Sequence, residues 1–156
     1  MNFKYFFITL AILAFLSSFI PREEKITEGI QAPSIELTES KTELGKNNKY
    51  TLLNFWSPKD PISRISNLQI SKILSDQTIS NVDFISICID ADDVLASEVL
   101  KYDGTDSIGL HLTYSQISER VFKDYNVADK SNTFLIDPSG KILKVGEDVI
   151  KVLPRL

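Results

Sequence analysis

The apolar and polar positions of this chain repeat with two different periods, and the shorter period predicts its strands. Residues 50–56 are apolar on both faces except at Thr51 and Asn54, which is typical of a central parallel strand. Residues 81–90 predict a second strand with strict alternation. Its faces carry Phe84, Ser86 and Cys88 on one side and Ile85, Ile87 and Ile89 on the other. A helix between these two strands would make them parallel neighbours.

Hairpins are predicted near both ends of the domain. Ile35 and Leu37 alternate with polar residues, which indicates a short half-buried strand, and residues 42–44 can pair back onto it. Residues 132–137 predict a third core strand. An Asp-Pro-Ser-Gly turn then returns the chain as a partner strand over 141–145. The second hairpin adds antiparallel strands to the sheet, so the sheet is expected to be mixed.

The longer period predicts helices over residues 61–76, 91–102, 115–125 and 147–153. The first has an apolar stripe centred on Ile62, Ile65 and Ile73, with Leu68 on one edge and Ile70 and Leu74 on the other. Strands alternating with helices and followed by a hairpin predict an α/β domain, with helices on both faces of a mixed sheet.

Polar residues mark where two of these helices begin. Asp90 or Asp92 is expected to start the second helix, because a carboxylate accepts hydrogen bonds from the first backbone amides. Ser115 is the candidate cap of the third helix. The inward side chains of that helix are expected to be Ile117, Val121, Phe122 and Tyr125.

The first residues predict export. Residues 1–4 carry one basic side chain and residues 5–20 are uncharged and almost wholly apolar, which is the layout of a secretory signal. A cleaved signal and an uncleaved membrane anchor are both open. We therefore divide the chain into a signal or anchor over 1–21, a linker over 22–28 and one domain over 29–156. The domain is expected in the periplasm or tethered to the outer face of the cytoplasmic membrane.

Charge and composition limit the kinds of partner and ligand that this chain is expected to bind. The net charge is −4 at pH 7, and no Lys/Arg cluster reaches the density of a nucleic-acid patch, so no nucleic acid is expected. Contact with a membrane is expected only through the N-terminal segment. The single cysteine excludes an internal disulfide and a two-cysteine redox cycle. With one histidine and one cysteine, no metal site is expected, and no cofactor.

Four stretches resemble one family in their order and spacing: residues 29–37, 52–56, 125–137 and 137–142. They are similar to the exported TlpA/ResA-type thiol-disulfide oxidoreductases of the thioredoxin-like superfamily, and to the related AhpC/TSA peroxiredoxin-like group. The resemblance implies a three-layer sandwich, with a central mixed sheet flanked by helices and an N-terminal hairpin.

The chain departs from this family at its active site. After Phe-Trp and three residues the family has Cys-x-x-Cys, whereas this chain has Asp60 and Ser63 at the two cysteine positions. The family's cis-proline position is Ser131, where a non-proline peptide bond is expected to be trans. The peroxiredoxin pattern also fails, because Ile65 falls at its peroxidatic cysteine. The degenerate active-site positions are Trp56, Asp60, Pro61, Ile62, Ser63 and Ser131.

Structural roles are the expected ones for the remaining reactive side chains. Asp60 suits a helix cap, although a new polar site shared with Ser63 is the alternative. Cys88 lies inside an apolar strand and is expected to be buried and inert. His111 is expected to be a surface or hydrogen-bonded histidine rather than a catalytic base. A group of three acids is expected to cap and to pair with the helix dipole rather than to hold a cation: Asp90, Asp92 and Asp93.

We therefore predict a redox-inactive envelope module and assign no catalytic residue. The family binds extended polypeptide at the corresponding surface, here formed by Trp56, Pro58, Asp60, Pro61 and Ser131. By resemblance, the expected partner is an envelope protein or an extended polypeptide. The alternative is an enzyme, namely a thiol-disulfide oxidoreductase or peroxiredoxin-like protein with residual or altered activity.

Overall fold

The structure of this chain is a computed structural model that describes residues 26–38, 48–76, 79–127 and 132–156. Its centre is a five-stranded sheet of order β3-β2-β1-β4-β5. The strands are β1 Tyr50–Trp56, β2 Val82–Cys88, β3 Leu110–Leu112, β4 Asn132–Ile136 and β5 Ile142–Val145. β1, β2 and β3 run parallel, while β4 is antiparallel to β1 and β5 to β4. The predicted mixed sheet is confirmed.

Helices cover both faces of the sheet. They are α1 Pro61–Asp76, α2 Asp93–Asp103, α3 Glu119–Asp124 and α4 Asp148–Val152, with 3-10 turns at Tyr114–Gln116 and Leu153–Arg155. α1 and α2 join successive parallel strands in the same direction, so right-handed crossovers place both on one face. α4 joins them, because Val149 packs in one cluster with Leu52 and Ile70. α3 lies on the opposite face, where Val121 and Phe122 pack against Phe55.

β1 and α1 begin and end at the predicted residues, but the buried face of α1 is not the predicted one. Its buried residues are Ser63, Asn67, Ile70 and Ser71. Ile62 and Ile65, expected inward, are 72% and 53% exposed. The reason is a hydrogen bond of 2.6 Å from Asn54 of β1 to the Asn67 side chain, which holds that face of the helix against the sheet. A specific polar contact therefore outweighs the apolar stripe.

The strand predicted through Ile35 and Leu37 is replaced by two isolated bridges, Gln31 with Lys141 and Leu37 with Ile117. The backbone between the bridges includes Pro33, which has no N–H to donate to a ladder. Ile35 is buried as expected. The second half of the predicted N-terminal hairpin, residues 42–44, lies outside the described residues.

The helix predicted over 115–125 is divided. A 3-10 turn capped by Thr113 precedes α3, and Ser118 occupies the N-cap position of α3, so the assignment of Ser115 as the cap was wrong. The break occurs because Ile117 is extended and bridges Leu37. The four side chains expected inward are all buried: Ile117, Val121, Phe122 and Tyr125.

The start of the second helix agrees with the sequence, whereas one short strand was not predicted. Asp92 caps α2 by accepting a hydrogen bond of 2.9 Å from the Leu95 amide. β3 was missed because its three residues, one of them His111, give too short a pattern to detect.

Residues 1–25, with the predicted signal or anchor, lie outside the described part of the chain. Within the described part, no helix is long and apolar enough to cross a membrane.

Candidate functional site

The candidate site begins where β1 ends and α1 starts. Trp56 closes β1 and is buried against α2, so it supports the site from below the surface. Asp60 accepts hydrogen bonds from the amides of Ile62 at 3.0 Å and Ser63 at 3.3 Å. Pro61 follows as the first helical residue, where its missing N–H costs no hydrogen bond. Asp60 is therefore the N-cap of α1, as the sequence indicates.

Ser63 is held by hydrogen bonds within the same loop. Its hydroxyl oxygen lies 3.1 Å from the Ser57 carbonyl and 3.0 Å from the Asp60 carbonyl, and it accepts the Ser57 amide at 3.1 Å. The side chain is buried. The backbone uses the donor and acceptor capacity of this hydroxyl, and no base among the described residues is bonded to it, so it is not arranged as a nucleophile.

A second set of contacts ties this loop to the end of β2. The Ser57 hydroxyl donates to Asp90, and Lys59 Nζ lies 2.9 Å from the other oxygen of the same carboxylate. Burial acts to raise the pKa of Asp90, but the hydrogen bonds from Ser57 and Lys59 outweigh it and hold that pKa below its usual value. The hydrogen bond to Asp90 also raises the pKa of Lys59. Asp90 thus anchors the β1–α1 loop, and the cap of α2 is left to Asp92.

A cleft of about 700 Å³ opens beside these residues. Asn54 and Thr133 form part of its lining and are themselves buried. Four apolar residues also line it: Phe55, Ile62, Ile89 and Ile150. Ser131 lies outside the described residues, although its neighbours Asn132 and Thr133 both face the cleft. Its expected trans peptide bond therefore stays a prediction.

The charged residues of the cleft are mostly acidic. Among the described residues, Asp60, Asp90 and Glu147 line it together with one cation, Lys59, which is already paired with Asp90. The carboxylates of Asp60 and Glu147 are not neutralised by an ion pair within the described part of the chain. The cleft therefore combines apolar walls with an excess of negative charge.

Sequence reasoning missed a buried polar network under the cleft. Thr133 Oγ1 donates to Asn54 Oδ1 at 2.6 Å, and Asn54 Nδ2 donates to Asn67 Oδ1 at 2.6 Å. All three side chains are buried. The available signal was Asn54 itself, a polar residue in an otherwise apolar central strand, because such a residue needs a partner on the same face.

Cys88 is buried, as expected, and its expected inertness stays a prediction. It is 1% exposed and its Sγ lies 3.6 Å from the Asp90 carbonyl oxygen. Burial raises the pKa of the thiol to about 11. The thiolate, which is the attacking species, is therefore disfavoured at neutral pH. Cys88 pairs with Trp56 in the sheet and does not line the cleft.

His111 lies on β3, away from the cleft. Burial lowers the pKa of His111. Hydrogen bonds with the backbone of Thr105 and Ile108 act in the opposite direction but do not outweigh burial. Its ring meets Phe84 edge to face at 6.0 Å between centroids. His111 is half-buried rather than a surface residue, and the prediction that it is no catalytic base stays a prediction.

The three acids near the end of β2 have separate roles. Asp92 caps α2, Asp90 binds Ser57 and Lys59, and Asp93 accepts the hydroxyl of Ser115. Within the described ranges no group of three His, Cys, Asp or Glu side chains is placed to hold a metal ion.

No protein-family model and no curated protein matches the sequence. Among solved structures, a thioredoxin-like protein from Parabacteroides distasonis is 28% identical, with a TM-score of 0.66 over 83% of this chain and 96% of that chain. The chain has the thioredoxin-like fold.

Two further structures show the range of proteins that share this fold. The thioredoxin domain of a thiol-disulfide oxidoreductase from Bacteroides vulgatus is 17% identical, with a TM-score of 0.68 over 84% of this chain and 98% of that one. A peroxiredoxin-like protein from Aquifex aeolicus is 14% identical, with a TM-score of 0.64 over 84% and 88%. The thioredoxin-like domain of this chain therefore resembles domains named for thiol chemistry, while Asp60 and Ser63 start its own site helix.

Proposed function

We propose that this chain is a redox-inactive thioredoxin-like domain of the cell envelope that binds a protein partner through the cleft. The observation that carries the proposal is the hydrogen bonding at the two positions that resemble cysteines. Asp60 is used as a helix cap, and Ser63 is bonded to the backbone of its own loop. A cleft of about 700 Å³ remains open next to them.

Thiol-disulfide exchange requires an attacking thiolate and a second thiol to resolve the mixed disulfide. A carboxylate at the helix start does not attack a disulfide, and Ser63 has no activating base in contact. The single thiol of the chain belongs to Cys88, which is buried and has a raised pKa. These facts favour loss of thiol chemistry over the alternative of residual or altered oxidoreductase activity.

The lining of the cleft indicates what kind of partner it would bind. Its apolar walls, which include Ile62 and Ile150, suit the side chains of an extended polypeptide, the ligand class that the resembled family binds at this surface. Asp60 and Glu147 add negative charge that no described cation neutralises. The proposed ligand is therefore an extended segment of an envelope protein with a basic side chain next to an apolar one.

The envelope location rests on the apolar run of residues 5–20. Three of the solved structures with this fold are named for thiol-disulfide oxidoreductases of Bacteroides species, which is compatible with a role outside the cytoplasm. A fusion of residues 1–28 to alkaline phosphatase tests it, because that enzyme is active only after export. An inactive fusion would contradict the proposed location.

The proposed loss of redox activity is tested by measuring whether the purified protein reduces insulin or a reporter disulfide. We expect no turnover above the rate of the dithiol reductant alone. Turnover would contradict the proposal, and its loss in Cys88→Ala would identify that thiol as the nucleophile of the alternative enzyme. The Cys88→Ala protein also serves as the matched thiol-free control.

The binding part is tested with a display library of unstructured ten-residue peptides. We expect enrichment of peptides that pair Lys or Arg with an apolar residue, and a lower affinity of these peptides for Glu147→Gln. Glu119→Gln, which removes the same charge on the opposite face of the sheet, is the matched control and should bind normally. Equal binding by both variants, or no enrichment, would contradict a role of the cleft.

A further inference from the structure

The outward face of α1 is apolar, although it points away from the core. Ile62 and Ile65 are mostly exposed, and Leu68 is 41% exposed. The Asn54–Asn67 hydrogen bond explains which face of α1 is buried, but it gives no reason for isoleucine and leucine on the other face. Contiguous exposed apolar side chains on a folded domain mark an interaction surface. We call Ile62, Ile65 and Leu68 the outer stripe.

The outer stripe is one even row along the helix. Side chains three residues apart are neighbours on a helix surface, so the three form a continuous ridge. An α-helix rises about 1.5 Å per residue, which makes the ridge about 9 Å long. Ile62 and Leu68 lie three residues to either side of Ile65. The row therefore has nearly the same form when it is turned end to end.

An exposed aromatic side chain lies beside the outer stripe. Tyr102 of α2 is 86% exposed. Its neighbour Asp103 accepts hydrogen bonds from two nitrogens of the Arg64 guanidinium, at 3.0 and 2.6 Å. This ion pair holds the end of α2 against the first turns of α1, so Tyr102 extends the exposed apolar surface. Tyrosine is one of the residues enriched in protein interfaces.

Opposite charges lie at the two ends of the outer stripe. Asp60 precedes the stripe, and Lys72 follows it by one helical turn. Neither side chain forms an ion pair within the described part of the chain. Lys59, the other charge before the stripe, is already paired with Asp90. Each end therefore keeps a charge that no described residue neutralises.

We propose that the outer stripe binds a second copy of this chain, with the two α1 helices packed antiparallel about a two-fold axis. The midpoint of the stripe is residue 65, and the midpoint between Asp60 and Lys72 is residue 66. These midpoints differ by about 1.5 Å along the helix. One axis therefore brings the two apolar rows together and also places Asp60 of each copy near Lys72 of the other. Such self-complementarity is what a two-fold interface requires.

This inference goes beyond the proposed function and does not rest on it, because it uses the outward face of α1. Asp60 and Ile62 also line the cleft, so a second copy and a bound peptide should exclude each other. Glu147 lines the cleft from outside α1 and separates the two ideas. Glu147→Gln should weaken peptide binding and leave self-association unchanged.

Disulfide trapping tests the position of the axis. In a Cys88→Ala background, Ile65→Cys places a thiol beside the axis, within the roughly 7 Å between Cα atoms that a disulfide allows. Asp76→Cys is the matched control, because Asp76 is exposed on the same face about three turns further on. An antiparallel pair holds the two copies of residue 76 about 30 Å apart.

On mild oxidation, Ile65→Cys should form a linked dimer at least about ten times faster than Asp76→Cys, since only the first pair meets the geometry of a disulfide. Equal rates would indicate random collision or a parallel pair and would overturn the inference.

Sedimentation velocity of the purified protein, over about 10–1000 µM, measures the association itself. Ile65→Lys buries a charge at the axis and should lower the association constant at least about tenfold. Val94→Lys is the matched control, because Val94 is 75% exposed at the far end of α2, where Asp93 is bonded to Ser115. A protein that stays monomeric throughout, or an equal loss in both variants, would overturn the inference.

Exchange of the two end charges tests the antiparallel register. Lys72→Asp places like charges together at both ends of the pair and should lower the association constant about 5–30-fold. Adding Asp60→Lys restores opposite charges and should recover the association, even though it removes the N-cap of α1. Failure to recover would contradict the proposed pair.

Flotation with phosphatidylcholine vesicles distinguishes a second copy from a lipid surface. We expect the original protein and Ile65→Lys to bind the vesicles equally. If Ile65→Lys lost vesicle binding and kept its self-association, the outer stripe would belong to a lipid surface and the inference would be overturned.

Discussion

Two neighbouring residues of β1 show how differently the two faces of the sheet are built. On the α3 face, the ring of Phe55 lies 5.1 Å from that of Tyr125 and 6.1 Å from that of Phe134. On the α1 face, Asn54 is bonded to Asn67 and Thr133. The α3 face is stabilised by buried apolar area, which tolerates small shifts, whereas the α1 face depends on hydrogen bonds with fixed directions. The cleft is lined by Asn54 and Thr133 of the directional face and by Phe55 and Ile89 of the α3 face.

The largest effect is expected on the α3 face. Phe134→Ala removes a fully buried ring from the aromatic cluster and leaves a cavity, so it should lower the free energy of unfolding by about 3–5 kcal/mol. Urea denaturation followed by tryptophan fluorescence measures this loss. Leu143→Ala, at a partly exposed position of β5, is the control and should cost far less. If both variants lost a similar free energy of unfolding, buried apolar area would not be what stabilises the α3 face.

A smaller but specific loss is expected on the α1 face. Asn54→Leu keeps the approximate volume but leaves Thr133 and Asn67 without their buried partner. The buried Leu side chain offsets part of the penalty for these unpaired groups, so we expect a net loss of about 1–3 kcal/mol. Urea denaturation provides the measurement. Asn54→Leu combined with Asn67→Leu should lose less than the two single changes added together, because both partners of one bond are replaced. Additive losses would show that the bond is not coupled.

The N-cap of α1 should contribute less to the free energy of unfolding than the Asn54 hydrogen bonds do. Asp60→Ala removes the acceptor for the amides of Ile62 and Ser63, and we expect a loss of about 0.5–2 kcal/mol. Asp60→Asn keeps a capping oxygen without the charge, so in thermal unfolding it should lie closer to the original protein. If Asp60→Ala is as stable as the original, then Asp60 is retained for the cleft and not for the helix.

The smallest effect concerns His111. Burial lowers its pKa in the folded protein, so the unfolded chain binds a proton at a higher pH than the folded one does. Stability is therefore expected to fall as the pH drops below about 6.5, the usual histidine value. Asp90, whose pKa is also lowered, affects stability only below about pH 4. Unfolding of His111→Gln at pH 7.5 and 5.5 should show a smaller difference than the original protein, and an equal difference would contradict this assignment.

The sequence predicted the elements better than their contacts. Short runs of mostly apolar residues located β1 and β2, and the polar residue Asp60 followed by Pro61 located the start of α1. The orientation of α1 was not predictable from its apolar residues, because the Asn54–Asn67 bond joins positions that only the folded chain brings together. The same holds for the register that places Ser86 beside His111.

The candidate site was predictable as a place but not as a set of contacts. The spacing after Trp56 identified Asp60 and Ser63, and the apolar strand pattern identified Cys88 as buried. The bond between Ser57 and Asp90 joins two loops that follow different strands, so no local pattern contains it. The acidic character of the cleft depends on Glu147, which the fold brings from the far end of the chain.

The segment before Pro33 has a consequence for how the domain meets other chains. The amides of Gly29 and Ala32 and the carbonyl of Ile30 take up the outward hydrogen-bonding groups of residues 140–142. The start of β5, at Ile142, is thereby closed to strand addition, and the opposite edge, β3, has only three residues. The domain is thus partly protected against edge-to-edge aggregation, and a truncation that removes residues 26–32 would expose the backbone of Ile142 at the edge of β5.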